Sequence, residues 1–232
     1  MKTLIEALEA ALTGEIRLNS PVTAVSDHAV TLSGGEEVQG RGVVLAAPAW
    51  KARSLLGGYP AAAKQLGEFG ANGSVAVVLA YRREQVRGDL AIHGILVDAR
   101  EPTPLSAITL HSSKIAGRAP EGHVLLRAFF ADMEPAQAEA AARREAARLL
   151  DITGEPLWSR VLDWRGQNPA YSLGHLERVA ELERLLPPSV RLAGSSYGGV
   201  GIPDCVRYAR QQAAKLASTL LDPTKTETLK VR

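Results

Sequence analysis

Cysteine is almost missing from this chain. Cys205 stands alone among 232 residues, which excludes an internal disulfide framework and any multi-cysteine metal site and makes a reducing, cytoplasmic setting the expectation. Excess charge of one sign is missing too: 27 Lys and Arg face 25 Asp and Glu, for a net charge of +2. The concentrated basic face of a nucleic-acid binder is therefore not expected. No stretch reaches the roughly 18 consecutive apolar residues that span a bilayer. The opening MKTLIEALEAALTG carries Glu6 and Glu9 among its apolar residues and reads as an amphipathic helix, not a signal peptide; a peripheral membrane contact stays open. Repeats and low-complexity linkers are absent, and so is a Gly-x-Gly-x-x-Gly run. What is present is enough apolar sequence, 46%, for a sizeable core in one large or two small domains.

The hydrophobic spacing predicts a mixture of helices and strands without a regular βαβ rhythm, hence an α/β (mixed α+β) fold. Leu4, Ile5, Leu8 and Leu12 fall at helical spacing, and Thr3 with Glu6 has the form of a capping box. EIRLNSPVTAVSDHAVTLSGGEEVQ alternates through short strands, with SGGEE as a hairpin turn. GVVLAAPAW is continuously apolar, as in a strand buried on both faces, and leads into a helix through Ala52 and Leu55. GSVAVVLAYRRE, AIHGILVD, LSAITLHSS, HVLLRAFF and PLWSRVLDW read as further strands. PAQAEAAARREAARLLDITG reads as a strong helix ended by Gly154. GHLERVAELERLL forms another helix, stopped by Pro187 and Pro188. A last helix runs from about Pro203 to Leu221, and the polar DPTKTETLKVR tail is expected to fray.

The chemistry-bearing candidate is GSSYGGVGIPDC, residues 194–205, between a short strand and that last helix. A dinucleotide fingerprint fails here, because Asp204 occupies the place of the third glycine and no strand follows to carry a ribose-binding acid. The physics of a helix start still applies. Pro203 suits the first turn, and the free N–H groups there favour an anion or an electron-rich carbonyl. Gly199 and Gly201 leave room for a planar ring. The same glycines suit a tight turn with no ligand, and composition does not decide between the two.

Elsewhere the signals are weaker. Trp164, Pro169, Tyr171 and His175 are close enough in sequence to line an aromatic pocket or to fill a core. His175 could act as a base or cap the helix it precedes. The other histidines lack ligand spacing, no serine sits in a nucleophile elbow, and Cys205 reads as a small packing residue. No metal site and no catalytic side chain emerges.

Taken in order, LIEALEAAL…IRLNSPVTAV, GVVLAAPAWKARSLL, HSSKIAGRAPEGHVLLRAFF, WRGQNPAYSLGHLERV and LAGSSYGGVGIPDCVRYARQQA resemble the C-terminal half of the bacterial protoporphyrinogen/coproporphyrinogen oxidases, FAD-dependent enzymes of the amine-oxidase-like flavoprotein superfamily. The resemblance implies the C-terminal portion of a two-domain flavoprotein lacking its N-terminal Rossmann βαβ unit. Residues 1–47 and 166–232 would belong to the FAD-binding domain, and residues 48–165 to the substrate-binding domain. It implies oxidation of a porphyrinogen to the porphyrin in haem biosynthesis with FAD and molecular oxygen, hydride leaving a methylene bridge for the flavin. It places Val200, Gly201 and Ile202 along the flavin with Ser195 close by, Trp164 near the flavin, and the backbone of Val22 at the adenosine end. The sequence is expected to be a fragment or half of a split protein, inactive alone, pairing with a missing N-terminal half or forming a homo-oligomer. The alternatives are another FAD-dependent amine oxidase or desaturase, and a non-catalytic module that binds no flavin alone.

Overall fold

The computed structural model describes residues 2–221; the expected frayed tail, 222–232, lies outside them. The chain divides into two compact units, residues 1–70 with 171–232 and residues 71–170.

In the first unit, α1 (Lys2–Ala11) precedes a three-stranded antiparallel sheet of β1 (Val22–Val25), β2 (Ala29–Leu32) and β3 (Glu37–Gln39). The SGGEE turn closes β2 onto β3 as expected, with Gly35 at positive φ donating to Leu32 O at 2.9 Å. The strand β4 (Val43–Leu45) then leads into α2 (Ala49–Leu55) and α3 (Pro60–Leu66). The chain re-enters this unit at Tyr171 and forms α6 (His175–Arg184), β12 (Val190–Leu192) and α7 (Ile202–Leu221). Strand β12 pairs in parallel with β4, Val190 opposite Val43 and Leu192 opposite Leu45. Leu45, Ala52, Leu56, Leu66, Leu182, Leu192 and Tyr197 make its core. Because α2 and α3 bury Ala49, Ala52, Ala62 and Leu66 in that core, this compact unit extends to residue 70.

The second unit is built on a five-stranded antiparallel sheet in the order β10 (Trp158–Asp163), β6 (Val75–Arg82), β9 (His123–Phe130), β8 (Leu105–Leu110), β7 (Gly94–Leu96). The short α4 (His111–Lys114) follows β8, and β5 (Gly70–Asn72) pairs with β11 (Asn168–Ala170) where the chain enters and leaves this unit. Helix α5 (Pro135–Leu150) lies on one sheet face. Its buried Ala138, Ala141, Ala142, Ala146 and Leu150 recur at helical spacing, and alanine lets the helix approach Leu79, Leu126 and Phe130 closely. Fully burying one such leucine contributes roughly 1.5–3 kcal/mol. The helix ends at Asp151, whose left-handed φ of 45° turns the chain; the expected stop at Gly154 comes too late.

Two other expectations fail for local reasons. Thr3 is already inside α1, so it cannot cap: a capping residue needs non-helical backbone. GVVLAAPA is not buried on both faces. Among the described residues β4 has a single strand neighbour, and Val44 is 43% exposed. No residue of α1 is buried, so its Leu4, Ile5 and Leu8 face solvent as well. An open strand edge flanked by uncovered apolar side chains invites pairing with another chain. The purified chain should therefore self-associate with rising concentration, and light scattering should show a mass above the 24.7 kDa monomer; a monodisperse monomer at high concentration would count against this.

Candidate functional site

The turn between β12 and α7 is built on the parallel strand pair. Val43 N donates to Ser189 O at 2.8 Å and Ala193 N to Leu45 O at 3.0 Å, so the two strands run out side by side. Beyond them Ser196, buried, accepts Ala49 N at 3.1 Å, and the fully buried Tyr197 donates its hydroxyl to Ala47 O at 3.3 Å. These bonds tie residues 196–197 to the segment that follows β4. Burial pushes the Tyr197 phenol well above its ordinary value, so it stays protonated as a donor.

Tyr171 spans the turn from outside. Its hydroxyl donates to Ser195 O at 2.6 Å and accepts Gly199 N at 2.8 Å. Its ring stacks on His175 at 3.7 Å, and Phe69 meets the same imidazole edge-on at 5.3 Å. His175 is 7% exposed, and its Nε2–H donates to Tyr197 O at 3.2 Å. Burial holds its pKa below the ordinary value, outweighing the backbone hydrogen bonds that favour the cation. This histidine is therefore a neutral, packed support for the turn and not an accessible base. The aromatic cluster read from the sequence divides accordingly: Tyr171 and His175 belong to this turn, while Trp164 belongs to the second unit, where it follows β10, is 49% exposed, and donates its backbone N–H to Ser74 O at 3.0 Å.

The glycines have internal reasons. A Cβ at Gly198 would sit 2.3 Å from the Tyr208 ring, and one at Gly199 would sit 2.5 Å from Asp204 Cβ, with φ at +130°. At Gly201 a Cβ would meet Asp204 Oδ2 at 3.0 Å, so its side-chain direction is also occupied. Glycine crowding thus lets the turn fold back onto the first turns of α7. What faces outward is apolar: Val200 is 62% and Ile202 46% exposed. A groove of about 630 Å³ begins at Ile202 and continues over Pro203, Val206, Arg207 and Arg210 to Leu4. Ser195 is half-buried beside the turn. Val22 opens β1 in the same unit but on the separate antiparallel sheet, next to the irregularity between Val22 and Ala24. Cys205 is half-buried, with its Sγ 3.3 Å from Gly199 O, in keeping with a packing role.

Glu183, which the sequence did not single out, fixes α7 in place. Its carboxylate accepts Tyr208 Oη at 2.7 Å, Gln212 Nε2 at 2.6 Å and Lys215 Nζ at 2.8 Å, three successive turns of α7. Burial works to raise its pKa, but Lys215 and the two neutral donors prevail and hold it below the usual carboxylate range. A signal existed in the i, i+4, i+7 spacing of Tyr208, Gln212 and Lys215; their common acceptor on another helix could not be read.

A parallel strand pair that hands its chain through a glycine turn to a helix N-terminus, with apolar side chains left open there, is an α/β arrangement with room for a ligand at the helix start. The chain belongs to the flavin containing amine oxidoreductase family, which matches residues 1–217. It is 32% identical to a coproporphyrinogen III oxidase of Propionibacterium freudenreichii subsp. freudenreichii, over 95% of this chain and 44% of that protein. It is 27% identical to a coproporphyrinogen III oxidase of Bacillus subtilis strain 168, over 89% of this chain and 47% of that protein. A crystal structure from Exiguobacterium sp. 255-15, provisionally assigned as a protoporphyrinogen oxidase, superposes with a TM-score of 0.79 at 26% identity, covering 93% of this chain and 51% of that one. The chain thus spans about half the length of the relatives it matches.

The Glu183 contacts generate a pH-dependent expectation. A carboxylate whose folded pKa is depressed stabilises above its unfolded value, and that stabilisation is lost as pH falls through the folded pKa. Glu183→Gln should cost about 1–3 kcal/mol in urea unfolding at pH 7. The gap to the parent chain should close as the pH drops below the ordinary carboxylate range; a gap independent of pH would contradict the ionic anchoring.

Proposed function

We propose that this chain contributes the flavin-edge turn and part of the substrate-side sheet of a flavoenzyme that oxidises a porphyrinogen to a porphyrin. The observation that carries the reading is the pair of exposed apolar side chains, Val200 and Ile202, held at the start of α7 in a member of a flavin-containing family. The coproporphyrinogen III oxidases among its relatives favour a porphyrinogen substrate.

The residues present fit a flavin. Val200 and Ile202 offer apolar contact to a flat ring, and the rigid backbone at Gly201 lies between them. The α7 N-terminus favours negative charge on whatever edge faces it, by roughly 0.3–1 kcal/mol. FAD, when bound, supplies the hydride acceptor, and molecular oxygen is the proposed terminal oxidant. The chain's own work is then positioning: Tyr171 and Tyr197 hold the turn in one shape, and Val200 and Ile202 exclude water from the ring. Ser195, Val22 and Trp164 are proposed as further flavin contacts on the strength of the family resemblance. The units 1–70 with 171–232 and 71–170 are proposed as parts of the FAD-side and substrate-side domains.

Combining the chain with the portion of the Propionibacterium relative that it does not match tests this reading. With FAD in air, the pair should convert coproporphyrinogen III to fluorescent coproporphyrin faster than the uncatalysed reaction, and neither part alone should. Ile202→Asp should lower bound flavin about tenfold or more while leaving helix content unchanged, because an acid is favourable in a first helical turn but not against an apolar ring. Flavin uptake with turnover of amines only would move the chain to another branch of the family, and no flavin uptake by the pair would overturn the reading.

A further inference from the structure

Asp204 stands in the first turn of α7, and the glycine turn wraps around it. A Cβ at Gly199 would lie 2.5 Å from Asp204 Cβ and 3.2 Å from its Oδ2, and a Cβ at Gly201 would lie 3.0 Å from the same Oδ2. The two glycines thus leave space that the carboxylate fills. Its other oxygen, Oδ1, accepts a hydrogen bond from Arg207 Nη2, about one turn further along the helix. The Asp204 side chain is 41% exposed, so its charge is neither buried nor free in bulk water.

That charge reaches across the turn. The Tyr171 hydroxyl, which accepts Gly199 N at 2.8 Å, is held above the ordinary phenol range. Burial is the main cause; the Gly199 hydrogen bond opposes it, and the negative charges of Cys205 and Asp204 add to it. An acid in a first helical turn has an ordinary use, since it complements the free N–H groups there. An acid pointing into solvent would serve that use as well. Here the carboxylate is drawn in between the glycines on either side of Val200, beside the apolar pair Val200 and Ile202. The helix end carries about half a positive charge and the carboxylate a full negative one. Arg207 offsets part of the latter, but its side chain is 62% exposed, where solvent and salt screen it.

On the flavin reading of this turn, on which this rests, we propose that Asp204 tunes the flavin's redox potential, holding it below the value that the α7 N-terminus alone would set. A hydride taken up by a flavin brings two electrons and one proton, so the ring gains one negative charge. A fixed carboxylate close by opposes that gain, because like charges near a protein surface repel more strongly than in bulk water. Asp204 exchanges no proton and no electron; it acts through its charge. The lower potential makes the reduced cofactor a better donor to oxygen, the proposed terminal oxidant.

The chain combined with the portion of the Propionibacterium relative that it does not match, and loaded with FAD, tests this by reductive titration against a dye of known potential. Asp204→Asn should shift the oxidised-to-reduced equilibrium about tenfold toward the reduced form, a rise of about 30 mV for a two-electron couple. Asp204→Glu keeps the charge and should restore most of the parent value. Arg207→Gln removes the compensating cation and should move the potential the opposite way. Circular dichroism and bound flavin per chain on the same samples establish that each variant is folded and loaded. Lower helix stability with an unchanged potential in Asp204→Asn would reduce Asp204 to a helix cap and overturn the proposal, leaving the flavin reading intact. If Asp204→Asn does not load, Arg207→Gln decides: a lowered potential supports the proposal and an unchanged one overturns it. A parent pair that takes up no flavin would overturn the flavin reading and the proposal with it.

Discussion

The three-residue parallel pairing of β12 with β4 is the constraint on which the glycine turn depends. It sets the two chain exits side by side, so residues 196–197 can bond to the segment after β4. That anchorage leaves little freedom for the five residues before α7. Gly198 and Gly199 then let the turn fold back against Tyr208 and Asp204, and Tyr171 pins it from the other side. Val200 and Ile202 face outward because every inward direction is taken. In the same strand pair β4 has, among the described residues, a single strand neighbour, and its Val44 is uncovered.

The second unit solves a different problem. A single alanine-rich helix closes one face of its sheet, and on β9 the opposite face keeps Leu125 and Phe129 beside His123 and Arg127. A sheet face covered on one side only is ordinary for an antiparallel sheet, but its uncovered side usually carries polar side chains that satisfy each other or water. Here one nitrogen of Arg127 and one of His111 are closed off from solvent without a partner. The first unit presents an apolar lip at a helix start and the second a sheet covered by a helix on one face, both in a chain of the flavin containing amine oxidoreductase family.

Much of this was legible in the sequence because the signals were local. The period-two alternation of HVLLRAFF, the apolar spacing of PAQAEAAARREAARLL and the Gly35 turn each declare an element within a few residues. The helix start at about Pro203 followed from turn chemistry in the same way. What escaped depends on partners distant in sequence. The clamp of Glu183 on α7 joins positions 25 to 32 residues apart. The grouping of α2 and α3 with the first unit depends on core contacts to residues beyond 175. The glycines, which the sequence left open between a ligand and a tight turn, give clearance to Tyr208 and Asp204. Trp164 and Tyr171, seven residues apart, fall in different units, since no local pattern marks where a chain crosses from one core to another.

The central claim is that the outward lip of the β12–α7 turn is a flavin contact surface. Amide chemical-shift mapping of the labelled chain during FAD titration addresses it most directly, since it detects weak binding residue by residue. The account predicts shifts concentrated at Gly199, Gly201, Ile202 and Val206, with the Tyr171 and Tyr197 amides following as the turn tightens. Saturating FAD that leaves the amides of residues 198–206 unmoved would contradict it.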